Sequence, residues 1–246
     1  MINTKIKGNI KNRKELERIV QNNTVLHSYL FLGENGIGKK EIAKEFAKQI
    51  LCLAHKDKCD CKSCICFETD NHPDFQLINN EGETIKISTI REMISTVYEK
   101  PILSKKKIYI INDADKMTKE AQNSLLKTLE EPPEYIIIIL IASNTDMLLN
   151  TIKSRCTKII FEKLTTQELK DALEPKTNLD ENISEKMFEF FDGSVGKAIK
   201  IREKQEIYDA LDKFIETIEK TNKIDFLTKT KEIFDKEEIY GMLEYC

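Results

Sequence analysis

A glycine-rich segment and a group of cysteines are the two parts of the chain whose residue types and spacing could do chemistry. The first, Gly33-Glu34-Asn35-Gly36-Ile37-Gly38-Lys39-Lys40, follows an apolar run at residues 29–32 and precedes a helical pattern. In a phosphate-binding loop of this kind, backbone N–H groups enclose phosphate oxygens and the lysine after the last glycine reaches the outer phosphates. The candidate phosphate-binding residues are Gly33, Gly36, Gly38 and Lys39.

The residues that would hold a magnesium ion beside such a loop depart from the usual pattern. Lys40 replaces the hydroxyl residue that follows the loop lysine, and an ammonium cannot ligate a metal. Asn112 follows an apolar run at residues 108–111, where an ATPase has an aspartate for Mg²⁺. Asp113 is either a residual catalytic base or an ordinary turn residue. ATP or ADP is therefore held as a structural ligand without hydrolysis, or Lys40 blocks the pocket.

Five of the seven cysteines lie between positions 52 and 66. In a reducing compartment such clustering indicates a metal before a disulfide, and Cys61-Lys62-Ser63-Cys64 supplies two thiolates from one short segment. We predict a closed, structural zinc site, with Cys66 as the alternative ligand. The predicted ligands are Cys52, Cys59, Cys61 and Cys64. The competing interpretation is a loop of reduced cysteines without a metal.

Charge and hydropathy narrow the classes of function. Charged residues make up 33% of the chain and balance to a net charge of −3, so no overall positive field favours nucleic acid. The basic run Lys105-Lys106-Lys107 is either a solvated loop or a local phosphate contact. The chain has no signal-peptide pattern and no apolar segment near the length of about 18 residues that spans a membrane. These features predict a soluble cytoplasmic protein with no membrane partner.

Alternating apolar runs and amphipathic segments predict an α/β fold. Strands are expected at residues 29–32, 75–78, 84–87, 108–111, 135–142 and 158–161, and helices at 12–23, after the glycine-rich loop, after a capping Ser88, and at 118–131. The run at 135–142 is continuous and rich in β-branched residues, which is typical of a central parallel strand covered on both faces. Ligands of such sheets bind at the carboxyl ends of the strands.

Three further motifs carry a resemblance to a known family. They are Lys127-Thr128-Leu129-Glu130-Glu131-Pro132-Pro133, Ser154-Arg155-Cys156, and His72-Pro73-Asp74 after a cysteine cluster. With the glycine-rich loop they make the chain, from position 1 to about 205, resemble the AAA+ clamp-loader subunits of bacterial DNA polymerase III. The resemblance implies an AAA+ P-loop parallel-sheet domain at 1–163 with an inserted zinc module at 52–66. It also implies a small all-α lid domain at 164–204, its first helix capped by Thr165, and a partial helical collar segment at 205–246.

Two kinds of clamp-loader subunit resemble this chain: ATP-hydrolysing motor subunits (gamma/tau) and non-catalytic delta-prime subunits. Motor subunits keep a hydroxyl residue where Lys40 stands, an Asp-Glu pair where Asn112-Asp113 stands, and an arginine where Gly196 stands. These departures make the chain more similar to the delta-prime kind. The resemblance then implies that Arg155 is an arginine finger acting in trans; the alternative is a surface or ion-paired arginine. Glu130 and Glu131 are expected to pair with surface cations or to be solvated, without an acid–base role.

The resemblance implies a stator that supports ATP-dependent loading of the sliding clamp onto primed DNA in DNA replication, within a polymerase (nucleotidyltransferase) holoenzyme. The implied partners are the gamma/tau motor subunits and the delta subunit, with the clamp and primer-template DNA reached through the complex. No intrinsic ATPase is expected. Two other hypotheses remain: a gamma/tau-type motor in which Asp113 or Asp115 compensates for Asn112, and a zinc-stabilised AAA+ scaffold without a replication role.

Overall fold

The chain divides into two compact units, Met1–Lys163 and Leu164–Cys246. The computed structural model describes residues 6–54, 59–78, 83–173, 188 and 191–203. The predicted collar segment at 205–246 lies outside these residues, as does most of the lid between 174 and 190. The domain boundaries drawn within the second unit therefore stay a prediction. Within the described residues, no helix combines the length and the apolar character needed to cross a membrane.

The first unit is built on five parallel β-strands in the order β2-β3-β4-β1-β5. Its strands are β1 (Ser28–Leu32), β2 (Phe75–Ile78), β3 (Lys107–Ile111), β4 (Ile136–Ala142) and β5 (Thr157–Ile160). Its helices are α1 (Ile10–Gln21), α2 (Lys39–Leu51), α3 (Lys62–Glu68), α4 (Ile87–Val97), α5 (Lys119–Glu130) and α6 (Asn150–Lys153), with 3₁₀ turns at Ala114–Lys116 and Thr145–Met147. The predicted α/β fold with a parallel sheet is confirmed.

Strand β4 is the centre of the sheet, as its composition predicts. All seven of its residues are buried, and it pairs with β3 on one side and β1 on the other. Helices cover both faces, because a strand of this composition has no polar face to offer to water. Tyr109 and Ile138 share one core with Met93 of α4 and Leu125 of α5. On the opposite face, the ring of Tyr29 meets Phe46 of α2 edge-on, with centroids 5.2 Å apart.

The strand predicted at residues 84–87 is wrong. Ile85 forms only an isolated parallel bridge with Met117. Helix α4 begins at Ile87, so only Lys86 remains between the bridge and the helix, which is too short to extend a strand. The predicted cap is wrong for the same reason: Ser88 lies inside the first turn, and Lys86 occupies the N-cap position without a side-chain hydrogen bond.

The described part of the second unit contains α7 (Thr166–Leu173) and α8 (Val195–Glu203). Thr165 caps α7 as predicted, because its hydroxyl accepts a hydrogen bond from the backbone N–H of Glu168 at 3.3 Å. The carboxylate of Glu168 in turn accepts from the N–H of Thr165 at 3.0 Å, which completes a reciprocal capping box. Two helix donors are thereby satisfied where the unit begins.

A fully buried carboxylate anchors the loop that precedes β3. Asp74 accepts hydrogen bonds from the backbone N–H groups of Ile102 at 2.6 Å, Leu103 at 2.8 Å and Ser104 at 2.7 Å. These three donors have no partner in a helix or a sheet, and the fully buried carboxylate would itself be costly without them. Asp74 therefore fixes a loop that has no regular structure of its own.

His72 extends this network toward α2 and α3. Its Nδ1 accepts from the N–H of Asp74 at 3.0 Å, which leaves Nε2 as the donor to the hydroxyl of Ser63, 2.8 Å away. That hydroxyl donates to the carbonyl of Leu51, at 2.7 Å. Burial lowers the pKa of His72 and so favours the neutral ring that this pattern requires. The end of α2 and the start of α3 are thus tied to the sheet by hydrogen bonds.

We expect Asp74→Ala to lower the free energy of unfolding by about 3 kcal/mol or more, because the loop at residues 102–104 loses three hydrogen bonds to a buried carboxylate. Urea unfolding followed by circular dichroism measures the change. Asp146→Ala is the matched control: the Asp146 side chain is exposed and lies in the 3₁₀ turn Thr145–Met147. The control should cost less than about 1 kcal/mol, as substitutions at the surface usually do. Equal losses in the two variants would contradict the anchoring role of Asp74.

Candidate nucleotide site and metal centre

The glycine-rich loop leaves β1 and enters α2 at the carboxyl edge of the sheet. Gly33 needs to be glycine, because a Cβ there would lie 2.6 Å from the carbonyl oxygen of Phe161. Gly38 is the N-cap of α2 and has a φ of 93°, in the left-handed region that favours glycine. A Cβ on Gly38 would meet nothing within 4 Å, so the space over the start of α2 is open. A phosphate group fits that space, where helix N–H groups attract anions.

Lys39 is turned into the loop. It is buried, and its Nζ donates hydrogen bonds to the carbonyl oxygens of Gly33 at 2.5 Å and Glu34 at 2.6 Å. Burial lowers the pKa of Lys39 to about 8, against the opposing negative charges of Asp115, Asp113 and Glu34. The lysine is thus charged at neutral pH and lies at the place where a phosphate would bind.

The positions just after β3 are those where a magnesium-dependent ATPase carries its metal-binding aspartate and its catalytic base. The backbone N–H of Asn112 bonds to the carbonyl of Ile78 at 2.9 Å, which continues the β2–β3 pairing. Asp113 has a left-handed backbone with φ of 52°, and its Oδ2 lies 3.7 Å from the Nζ of Lys116. A lysine therefore neutralises the carboxylate at the position of the catalytic base.

Asp115 has a structural role that the sequence analysis missed. Its Oδ2 accepts three hydrogen bonds just beyond β4: from Ser143 N at 3.1 Å, Ser143 Oγ at 2.9 Å and Asn144 N at 2.8 Å. Its Oδ1 is buried and has no hydrogen-bond partner among the described residues. Asp115 therefore ties the end of β3 to the end of β4. In the sequence, this role is signalled by an aspartate four residues after the end of one buried strand, together with a serine at the end of the next strand.

These residues do not fit a magnesium site of the P-loop ATPase type. The position for the hydroxyl ligand is Lys40, and the position for the strand-end carboxylate is Asn112. The buried carboxylate of Asp115 is held by the β4 end rather than turned to solvent. The glycines and the lysine that could bind a phosphate are present, whereas positions 40 and 112 lack residues that could bind magnesium.

The predicted zinc ligands come together. The sulfur atoms of Cys52, Cys59, Cys61 and Cys64 all lie within 4.8 Å of one another. Four thiolates around Zn²⁺ at about 2.3 Å would be about 3.8 Å apart, so a small contraction suffices. Cys66 does not join this group, and the four ligands are the set predicted.

Secondary structure holds three of these four cysteines. Cys52 follows the last residue of α2, Cys61 is the N-cap of α3, and Cys64 lies in the first turn of α3. Burial alone would raise the pKa of Cys61, but N–H donors from Cys64 and Leu53 lower it to about 6. Burial raises the pKa of Cys64. A bound cation would favour the thiolate at both positions. The donor set fits a closed structural zinc site.

Arg155 lies in the turn between α6 and β5. Ser28 Oγ donates to its backbone carbonyl at 2.6 Å, which fixes the turn against β1. Its guanidinium donates through Nη1 to the carbonyl of Thr151 at 2.8 Å and forms an ion pair through Nη2 with Glu130. About a third of the Arg155 side chain, 33%, remains exposed.

Ser154 and Cys156, which flank Arg155, lie in contacts within the chain. Cys156 is buried in the core, and burial raises its pKa to about 11, so it is an unreactive thiol. The hydroxyl of Ser154 donates to the carbonyl of Thr151 at 3.1 Å. Arg155 is thus the member of the motif with a charged group at the surface.

Comparison with known proteins identifies the family. The model of the family described as DNA polymerase III, delta subunit, matches residues 8–165. The chain belongs to the DNA polymerase III delta-subunit family. Among its relatives, DNA polymerase III subunit delta' of Bacillus subtilis (strain 168) is 33% identical over 211 residues, which are 84% of this chain and 63% of the relative. The resemblance to delta-prime subunits drawn from the motifs is confirmed.

Other relatives of this delta-family chain carry a different subunit name. Subunit tau/gamma of Haemophilus influenzae is 34% identical over 157 residues, 63% of this chain and 23% of the relative. Among solved structures, a DNA polymerase III gamma subunit-related protein from Thermotoga maritima has a TM-score of 0.50 at 22% identity, covering 91% of this chain and 78% of that one. That likeness concerns the fold alone. The chain spans less than two thirds of the length of the Bacillus and Haemophilus relatives.

The basic run is largely occupied by contacts within the delta-family chain. Lys106 Nζ donates to the carbonyl of Glu134 at 2.7 Å. Lys107 is buried, and its Nζ donates to the carbonyl of Thr96 at 2.8 Å and pairs with Glu99 at 3.4 Å. These contacts favour a structural role over a phosphate contact for both residues.

The cysteine cluster predicts about one Zn²⁺ per chain, measured by atomic absorption on the purified protein. Cys61→Ser should lose the metal and lower the thermal midpoint, because a three-thiolate site binds zinc more weakly. Cys66→Ser, outside the cluster, is the control and should keep both. Equal zinc content in the two variants would contradict the assigned ligands.

The pKa of Lys39 makes phosphate binding pH-dependent. A neutral amine cannot attract phosphate, so the affinity should fall as the pH rises through about 8. With that pKa, the charged fraction of free Lys39 drops about tenfold between pH 7 and 9, so the dissociation constant of fluorescently labelled ADP should rise by up to that factor. Fluorescence anisotropy without Mg²⁺ measures it. Lys39→Ala should bind weakly at both pH values; wild-type affinity that is independent of pH would count against Lys39 as the phosphate ligand.

Proposed function

We propose that this chain is a non-catalytic, delta-prime-type subunit of the DNA polymerase III clamp loader. It would support ATP-dependent loading of the sliding clamp onto primed DNA by organising its neighbours. The observation that carries the proposal is a contrast at one edge of the sheet: the phosphate cradle with Lys39 is intact, while Lys40 and Asn112 stand where metal ligands are needed. Family membership over residues 8–165 supports the same role.

The cradle and the cysteine cluster would serve as structural sites. ATP or ADP bound over the start of α2 would stabilise the loop without being hydrolysed, because no magnesium ligands and no free base are in place. Zinc bound to the four thiolates would close the segment between α2 and α3. Helix α2 runs from one site to the other, a length of about 20 Å for its 13 residues.

The active role would belong to Arg155. A guanidinium that reaches the γ-phosphate in a neighbouring subunit stabilises the charge that develops during phosphoryl transfer. Arg155 is supported in this role by its position at a surface turn, its exposed charge and its fixed backbone. The neighbour would be a gamma/tau motor subunit, with the delta subunit, the clamp and primer-template DNA as further members of the assembly.

The proposal is tested by steady-state ATP hydrolysis. The purified chain should be silent alone, and a mixture with the gamma/tau subunit of the same cells should hydrolyse ATP. Arg155→Ala should lower kcat of the mixture at least about tenfold, because removal of an arginine finger typically costs more than that. Lys153→Ala, a neighbouring surface cation whose Nζ bonds to the carbonyl of Thr145 at 3.1 Å, is the matched control.

A motor subunit of the gamma/tau type is the second candidate, because a relative with that name is 34% identical over 157 residues. It predicts hydrolysis by the chain alone that Lys39→Ala abolishes. If Arg155→Ala leaves the ATP hydrolysis of the mixture unchanged, the zinc-stabilised scaffold would be the better interpretation.

A further inference from the structure

The partner of Arg155 within the chain is a residue that the motif did not mark for a function. Glu130 is the last residue of α5, and its Oε1 forms the ion pair with Arg155 Nη2. The second contact, from Nη1 to the carbonyl of Thr151, comes from helix α6. Two helices that are distant in sequence therefore hold one guanidinium from two sides.

These contacts hold the guanidinium without covering it. An arginine has five N–H groups, and the two contacts with described residues engage one nitrogen each. The Arg155 side chain is 33% exposed and Glu130 is 46% exposed. The remaining donors therefore have room for an oxygen that arrives from outside the chain.

The pair is poorly suited to a stabilising role. Exposed ion pairs contribute little to folding because solvent screens them and long side chains lose freedom when they form. The same loss of freedom is useful in a binding group. An arginine that is already held in one geometry loses less entropy when it meets a second anion, which strengthens that contact.

We propose that Glu130 is a positioning residue for Arg155: it orients the guanidinium for the phosphoryl oxygens of a neighbouring subunit. This inference rests on the proposed function of Arg155. Glu130 itself touches no reacting group. It acts by holding the Arg155 guanidinium beside α6, so that the arginine side chain samples fewer rotamers.

The adjacent residue supplies a matched control. Glu131 is also an exposed carboxylate, one position along the chain, and it forms no ion pair within the described part of the protein. Substitution of either residue removes one negative charge from the same surface. A general electrostatic effect would therefore be equal for the two, whereas a positioning effect belongs to Glu130 alone.

The experiment is a double-mutant cycle on kcat for ATP in the mixture with the gamma/tau subunit. Glu130→Ala should lower kcat about three- to tenfold at unchanged KM, and Glu131→Ala should leave both within twofold, as the loss of a held orientation predicts. In the Arg155→Ala background, Glu130→Ala should have no further effect, because it acts only through the arginine. The midpoint of thermal unfolding should be the same in both single variants.

Three results would overturn the positioning role while leaving the finger intact: equal effects of Glu130→Ala and Glu131→Ala, an equal loss with and without Arg155, or a higher kcat in Glu130→Ala. The last would mean that Glu130 sequesters the arginine. If Arg155→Ala itself leaves kcat unchanged, the proposed function fails, and the positioning role fails with it.

Discussion

Parallel pairing of β4 with both of its neighbours is the constraint on which the nucleotide site depends. Parallel strands in register end at the same edge, so β1, β3 and β4 release their following residues side by side. Lys39, Asp113 and Ser143 follow different strands, yet they meet there for this reason. As a consequence, many polar groups at this edge of an apolar sheet need hydrogen-bond partners. Asp115 satisfies some of them by accepting three hydrogen bonds at the end of β4.

The same edge explains how nucleotide binding and hydrolysis can be separated. Binding uses backbone N–H groups and one lysine, which depend on the loop conformation and on glycine where Phe161 approaches Gly33. Hydrolysis needs carboxylate and hydroxyl ligands for a metal, which depend on individual side chains. Under the proposed function, Lys40 and Asn112 would remove the ligands needed for hydrolysis and leave the groups that could bind a phosphate in place. Lys39 donates hydrogen bonds to two loop carbonyls, which hold the lysine against the loop.

The sequence predicts what depends on local pattern and misses what depends on distant side chains. The run that became β4, the loop at Gly38 and the cluster of four cysteines were predictable, because burial pattern, glycine spacing and thiol chemistry act over short stretches. The strand at 84–87 was predicted from alternation alone, and the early start of α4 prevented it. The pairs of Asp115 with Ser143 and of Glu130 with Arg155 span 28 and 25 residues, and no local pattern marks them.

The two ends of the first unit's sheet thus differ in how they are stabilised. At the carboxyl edge, Asp115 accepts three hydrogen bonds at the end of β4, and burial lowers the pKa of Lys39 to about 8. Around α2 and α3, a neutral His72, a buried Asp74 and a thiol cluster form a dense polar network. The anion proposed to bind at the start of α2 would have room there, because a Cβ on Gly38 would meet no atom within 4 Å. The polar network at the far end of α2 would hold the helix in place while this space stays open.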